Sequence, residues 1–148
     1  MPFAVYDYSF LPVIHIYLSN IIESDADFNN FISEWYLIYA KRQPFKYVFH
    51  AEKVGYVPIK YALQMAAFMK NLRQLSEQYL QKSIIIIDHN YAKYLLNLIF
   101  YLQPPVSDIY VTKDSSLIEE LLENDYRMEN DSHEYEYIAP GKSPLPFL

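Results

Sequence analysis

Cysteine is absent from this 148-residue chain, which excludes a disulfide framework and thiolate chemistry. Glycine is nearly absent too. Gly55 and Gly141 are the only two, too few for a glycine-rich loop that cradles phosphate. No stretch of 18 apolar residues occurs, so no membrane-spanning helix is expected. No basic segment followed by an apolar run opens the chain, so no signal peptide is expected and the cytoplasm is the expected compartment. An excess of positive charge is missing as well. The formal net charge is −6, which argues against a nucleic-acid partner.

What is present is apolar and aromatic. Hydrophobic residues make up 52% of the chain and charged residues 20%, the balance of a globular domain with a real core. Aromatics reach 18%, with sixteen tyrosines. The frequent Tyr, Phe, Ile, Asn and Lys match A/T-rich coding, as in a large DNA virus, a protist or a low-GC bacterium. For a virus, the particle or the host cytoplasm is the expected location. Charge is segregated: residues 41–93 hold nine Lys/Arg and three Asp/Glu, and residues 114–148 hold nine Asp/Glu and two Lys/Arg. The basic middle could attract the acidic end or an acidic partner.

The chain is organised around residues 83–102. Four consecutive isoleucines, Ile84 to Ile87, suit a strand buried on both faces of a sheet. Asp88-His89-Asn90 offers helix-capping chemistry, and residues 91–102 then run apolar until Pro104-Pro105 stops them. A buried strand leading straight into a helix is half of a βαβ unit.

The rest follows the same alternation. Strands over residues 3–8 and 13–18 are expected to form a hairpin around Pro12. Ser24, Asp25 and Asp27 open a helix that reaches about residue 42. Phe28, Phe31, Ile32, Trp35, Ile38 and Tyr39 form its inward stripe, while Tyr36 and Leu37 fall off it. A strand over residues 46–51 is followed by a loop over 52–57. A helix over 58–79 then starts at Pro58 and turns Ile59, Ala62, Leu63, Ala66, Met69 and Leu72 inward. A strand over 108–112 and a short acidic helix over 117–123, capped from Asp114, complete the pattern. The expected architecture is an α/β domain over residues 1–125. Its mixed, mostly parallel sheet has about five strands, with about four helices on both sides. An acidic and then proline-rich tail follows over residues 126–148, where Ser143-Pro144-Leu145-Pro146-Phe147-Leu148 reads either as a disordered end or as a segment that docks in a groove of another protein.

This order of elements resembles the STAS domain, the fold of bacterial anti-sigma-factor antagonists and of sulfate-transporter cytoplasmic tails. The similarity is best over residues 45–122. Tyr47-Val48-Phe49-His50-Ala51 looks like the strand before the family's phosphorylation loop. Ser83 to Asp88, Ile109-Tyr110-Val111 and Ser116 to Leu121 resemble its C-terminal half. The family's loop carries a phosphorylated Ser or Thr, but here it reads Glu52-Lys53-Val54-Gly55-Tyr56-Val57-Pro58, with neither. The resemblance therefore implies a small non-enzymatic module that works through protein contacts around this loop, without the family's kinase switch.

Two functional expectations follow. The first is a protein-interaction or scaffold module, regulatory or a viral assembly component, that binds a protein partner or a second copy of itself and needs no cofactor. Its expected contacts are Glu52, Lys53, Tyr56 and Lys60, with Trp35, Tyr36, Tyr94 and Tyr101 on the aromatic helix faces. The second is a small enzyme or a ligand- or metal-binding domain. It would use His50, Glu52, Asp88, His89 and Asp114, which all fall near the C-terminal ends of strands, where open α/β sheets bind ligands. Their spacing follows no metal motif, and capping accounts for Asp88 and Asp114.

Overall fold

A computed structural model describes residues 2–127 and 134–141. Six strands form one sheet in the order in which they occur along the chain: β1 (Ala4–Phe10), β2 (Val13–Leu18), β3 (Phe45–His50), β4 (Leu80–Ile86), β5 (Asp108–Thr112) and β6 (Tyr135–Ile138). The strands β2 to β5 run parallel, and β1 and β6 pair antiparallel at the two edges. The helices α1 (Asp25–Ala40), α2 (Ile59–Arg73) and α3 (Asn90–Leu102) make the three parallel crossovers. Each crossover advances the sheet in the same direction. Right-handed connections therefore place all three helices on one face. A 3₁₀ turn, Ser115–Leu117, and the short helix α4 (Ile118–Glu123) lie on the other.

The strand alternation divides the core accordingly. Ile14, Ile16, Tyr47, Phe49, Ile85, Ile87, Ile109 and Val111 face α1 to α3. Val48, Ile84, Ile86 and Tyr110 face the opposite way, towards Leu121 of α4 and Tyr135 of β6. The isoleucine run is the centre of the sheet and is buried on both faces, as its composition predicts. Among the described residues no helix is long and apolar enough to cross a membrane.

Four features differ from the sequence reading. The helix α2 ends at Arg73, and β4 begins at Leu80. The Gln78 amide donates to the Leu72 carbonyl at 2.8 Å and accepts from the Tyr39 hydroxyl at 2.9 Å, closing the helix end. The buried face of α2 is also rotated. Tyr61 and Phe68 are inside, while Ile59 and Leu63 are each 49% exposed. Contacts with α1 set this rotation: Tyr61 donates to Asp25 at 2.8 Å, and Phe68 packs edge-on against Trp35 at 5.1 Å. Trp35 itself is a core residue, enclosed by Phe31, Tyr47, Phe49 and Phe68, so it is not a surface contact.

The last difference is the sixth strand. Residues 135–138, expected to lie in a tail, pair along β5. They are held by Tyr137 donating to Asp108 at 2.8 Å and by Lys93 against Glu136 at 2.7 Å. The proline-rich segment 143–148 lies outside the described residues.

Candidate functional site

The parallel strands β2 to β5 bring His50, Glu52, Asp88, His89 and Asp114 to one edge of the sheet, but His50, Asp88, His89 and Asp114 each contact different partners. His50 ends β3 on the face away from α1 to α3. One of its ring nitrogens shares a hydrogen bond of 2.9 Å with His15 of β2, and Tyr17 stacks flat on it at 4.3 Å. Burial, followed by the neighbouring His15, lowers the His50 pKa below the ordinary 6.5, and the Glu52 charge opposes this. Glu52 is exposed. Asp88 is exposed and stands 3.8 Å from Lys113. His89 is the N-cap of α3, its Nδ1 accepting from the Ala92 amide at 3.4 Å. Asp114 caps the 3₁₀ turn by accepting from the Ser116 amide at 2.9 Å and its hydroxyl at 2.7 Å. Those bonds hold the carboxyl below the usual range. Among the described residues no three His, Asp or Glu side chains converge on a point where a metal ion could sit. The structure does not assemble these five residues into one site.

It assembles an aromatic row instead. Tyr56, on the loop between β3 and α2, is 76% exposed. Its ring meets the edge of His89 at 4.8 Å and lies against Tyr91 at 5.3 Å, and Tyr91 in turn stacks with Tyr94 at 6.2 Å. The loop supplies the first ring because Val54 and Val57, on either side of it, are buried and pin its backbone. The start of α3 supplies the other two because residues three apart on a helix stand one above the other. Tyr91 was missed in the sequence, although its spacing to Tyr94 was a usable signal.

The other expected contacts are dispersed. Lys53 and Glu52 are exposed on the loop that carries Tyr56. Lys60 is exposed, but it is already paired with Asp25 of α1 at 3.1 Å and lies over the Tyr61 ring. Tyr36 sits on α1 with its ring edge against Phe68. Tyr101 is half exposed, about two turns along α3 from Tyr94.

A second aromatic group lies on the open side of the sheet. Phe10, His15, Tyr17 and His50 form a continuous set of ring contacts, and Phe10 and Tyr17 are 62% and 46% exposed. Sequence reading missed His15, because only the pairing of β2 with β3 brings it to His50.

No protein-family model, curated protein or solved structure matches this chain.

Proposed function

We propose that this chain is a non-catalytic interaction module that pairs with a second copy of itself through the row formed by Tyr56, Tyr91 and Tyr94. The observation that carries the reading is Tyr56, a large ring left 76% exposed at the head of a continuous aromatic contact chain. Tyrosine suits interfaces because it combines a large apolar area with a polar tip and only two rotatable side-chain bonds. The rim suits a two-fold arrangement. Such an interface is self-complementary, and Glu52 next to Lys53 lets the acid of each copy face the base of the other. The resemblance to STAS domains supports contacts around the same loop. A cytoplasmic location, and an assembly role in a virus, belong to this proposal. The alternative of strand-end chemistry has no comparable support, since its residues are engaged separately.

Light scattering across a concentration range tests this. A mass near twice the 17.6 kDa of the chain is expected. Tyr56→Ala should weaken association by tenfold or more, about 1.4 kcal/mol or above, as for an interface anchor, while the circular-dichroism spectrum stays that of the folded chain. A monomer at every concentration, or a dimer that Tyr56→Ala leaves intact, rejects the reading.

A further inference from the structure

The two edges of the sheet are unequal. The strand β6 is four residues long and carries Glu136, a short and charged edge that discourages further pairing. The strand β1 runs for seven residues without lysine or proline, and its register against β2 is regular from Ala4 to Asp7. The Ser19 amide donates to the Phe3 carbonyl at 2.7 Å, which makes Phe3 and Ser19 a hydrogen-bonded pair of the antiparallel ladder. The alternation continues through Val5 with Tyr17 and Asp7 with His15. The backbone N–H and C=O groups of Ala4 and Tyr6 therefore point away from β2, off the edge of the sheet.

Each side of this edge has its own chemistry. On the helix side α1 runs along it, held by the Tyr6 hydroxyl donating to the Phe31 carbonyl at 2.8 Å and the Tyr8 hydroxyl donating to the Glu34 carboxylate. Between strand and helix lies a groove of about 280 Å³, with Ala4, Tyr6 and Tyr8 on one wall and Asp27, Asn30 and Glu34 on the other. Asp27 accepts from the amides of Phe3 at 2.8 Å and Glu23 at 3.4 Å, and Glu34 accepts from Tyr8. These donors are neutral, so they cancel neither charge. No cationic side chain lines the groove among the described residues. Lys41 lies beyond it, 5.3 Å over the Tyr8 ring, and shows that a tyrosine of this wall takes a cation on its face. On the open side the edge is apolar: Val5 is half exposed, opposite the half-exposed Tyr17.

We propose that β1 is a docking edge for an extended segment of a partner protein in which basic and apolar residues alternate. The segment adds to the sheet as a further strand, antiparallel to β1, which is the more stable pairing per residue. Its residues opposite Ala4 and Tyr6 exchange hydrogen bonds with them and share their side of the sheet, so those side chains enter the groove. Lysine or arginine suits these positions, because Asp27 and Glu34 supply the opposite charge and the tyrosines supply ring faces. The residues between them fall on the side of Val5 and are apolar. Tyr56, Tyr91 and Tyr94 do not line the groove, so docking stands independently of self-association.

The probe is a fluorescein-labelled peptide of alternating lysine and valine, titrated with the full chain while its anisotropy is followed. Saturable binding is expected. It should be lost when glutamate replaces the lysines, and lost when the lysine amides are N-methylated, which removes the hydrogen bonds to β1 and keeps the charge. Glu34→Gln retains an acceptor for Tyr8 and removes one charge from the groove. It should weaken binding about fivefold, the upper range for a single solvent-exposed ion pair. Asn30→Lys puts a cation on the exposed helix wall and should weaken binding at least as much, with the circular-dichroism spectrum of the folded chain retained. No saturable binding, equal binding of the glutamate or the N-methylated peptide, or unchanged affinity in either variant overturns the proposal. So does growth of the free chain beyond a dimer that Asn30→Lys suppresses, which would make a second copy the occupant of this edge.

Discussion

Lys82 is a strand residue only 3% exposed, and its ammonium group closes the end of a helix. Nζ donates to the carbonyls of Leu121 at 2.8 Å, Asn124 at 3.1 Å and Leu122 at 3.3 Å, and stands 2.9 Å from Asp125. These carbonyls are the unsatisfied, negative end of α4, so a cation there replaces the water they lose. Asp125 is 61% exposed and keeps its hydration, which makes the carbonyl contacts the larger contribution. Lys82→Met should therefore cost about 2–4 kcal/mol and Asp125→Asn under about 1 kcal/mol, read from chemical-denaturation midpoints. Equal losses would show that the ion pair, not the helix cap, is what matters. His50 makes a second prediction at this scale. Its folded pKa lies below the ordinary 6.5, so near and below that pH the unfolded chain binds more protons than the folded one. Stability present at neutral pH is then lost as the pH falls through 6.5 towards the lower folded value. The melting temperature should drop between about pH 7.5 and about pH 5.5, and His50→Gln should flatten the drop. An identical slope in wild type and variant would remove His50 as its source.

Among the elements, β6 depends most on distant contacts. Tyr135 and Tyr137 alternate as strand residues do, but the strand is short and acidic residues surround it, so the pattern reads as tail. The structure uses both its faces. Tyr135 joins the α4 side of the core, while Ile138 joins the helix side at 4% exposure. Ile138→Ala should cost about 2–5 kcal/mol, as for a core truncation, and Tyr137→Phe about 0.5–1.5 kcal/mol for the lost bond to Asp108. A neutral Ile138→Ala in thermal denaturation would show that β6 does not stabilise the sheet. The rotation of α2 has a similar origin. Both Ile59–Leu63 and Tyr61–Phe68 fit a helical stripe, and aromatic partners on α1 select the second.

On the scale of the whole molecule, one sheet carries two cores. The larger lies under α1 to α3, the smaller under α4, and the strands β3, β4 and β5 contribute to both. Shared strands should make unfolding a single transition. Leu121→Ala removes a fully buried side chain from the smaller core, and Trp35 lies in the larger one. The Trp35 fluorescence midpoint should fall together with the circular-dichroism midpoint, by an amount corresponding to about 2–5 kcal/mol. A shift confined to circular dichroism would mean that the two cores unfold separately.

The sequence by itself determined the order of the elements up to α4, the ranges of β2 and β5, the double burial of the isoleucine run and the α/β class. These follow from local chemistry: alternation, helical spacing, caps and proline stops all act within a few residues. It also pointed to Tyr56 and Tyr94 as surface aromatics, both of which belong to the row. Only the tertiary structure decided that Trp35 packs against Phe68 of α2, that His15 meets His50, and that residues 135–138 complete the sheet. Each of these depends on a partner tens of residues away, chosen by strand register and helix rotation, and local periodicity carries no information about that choice.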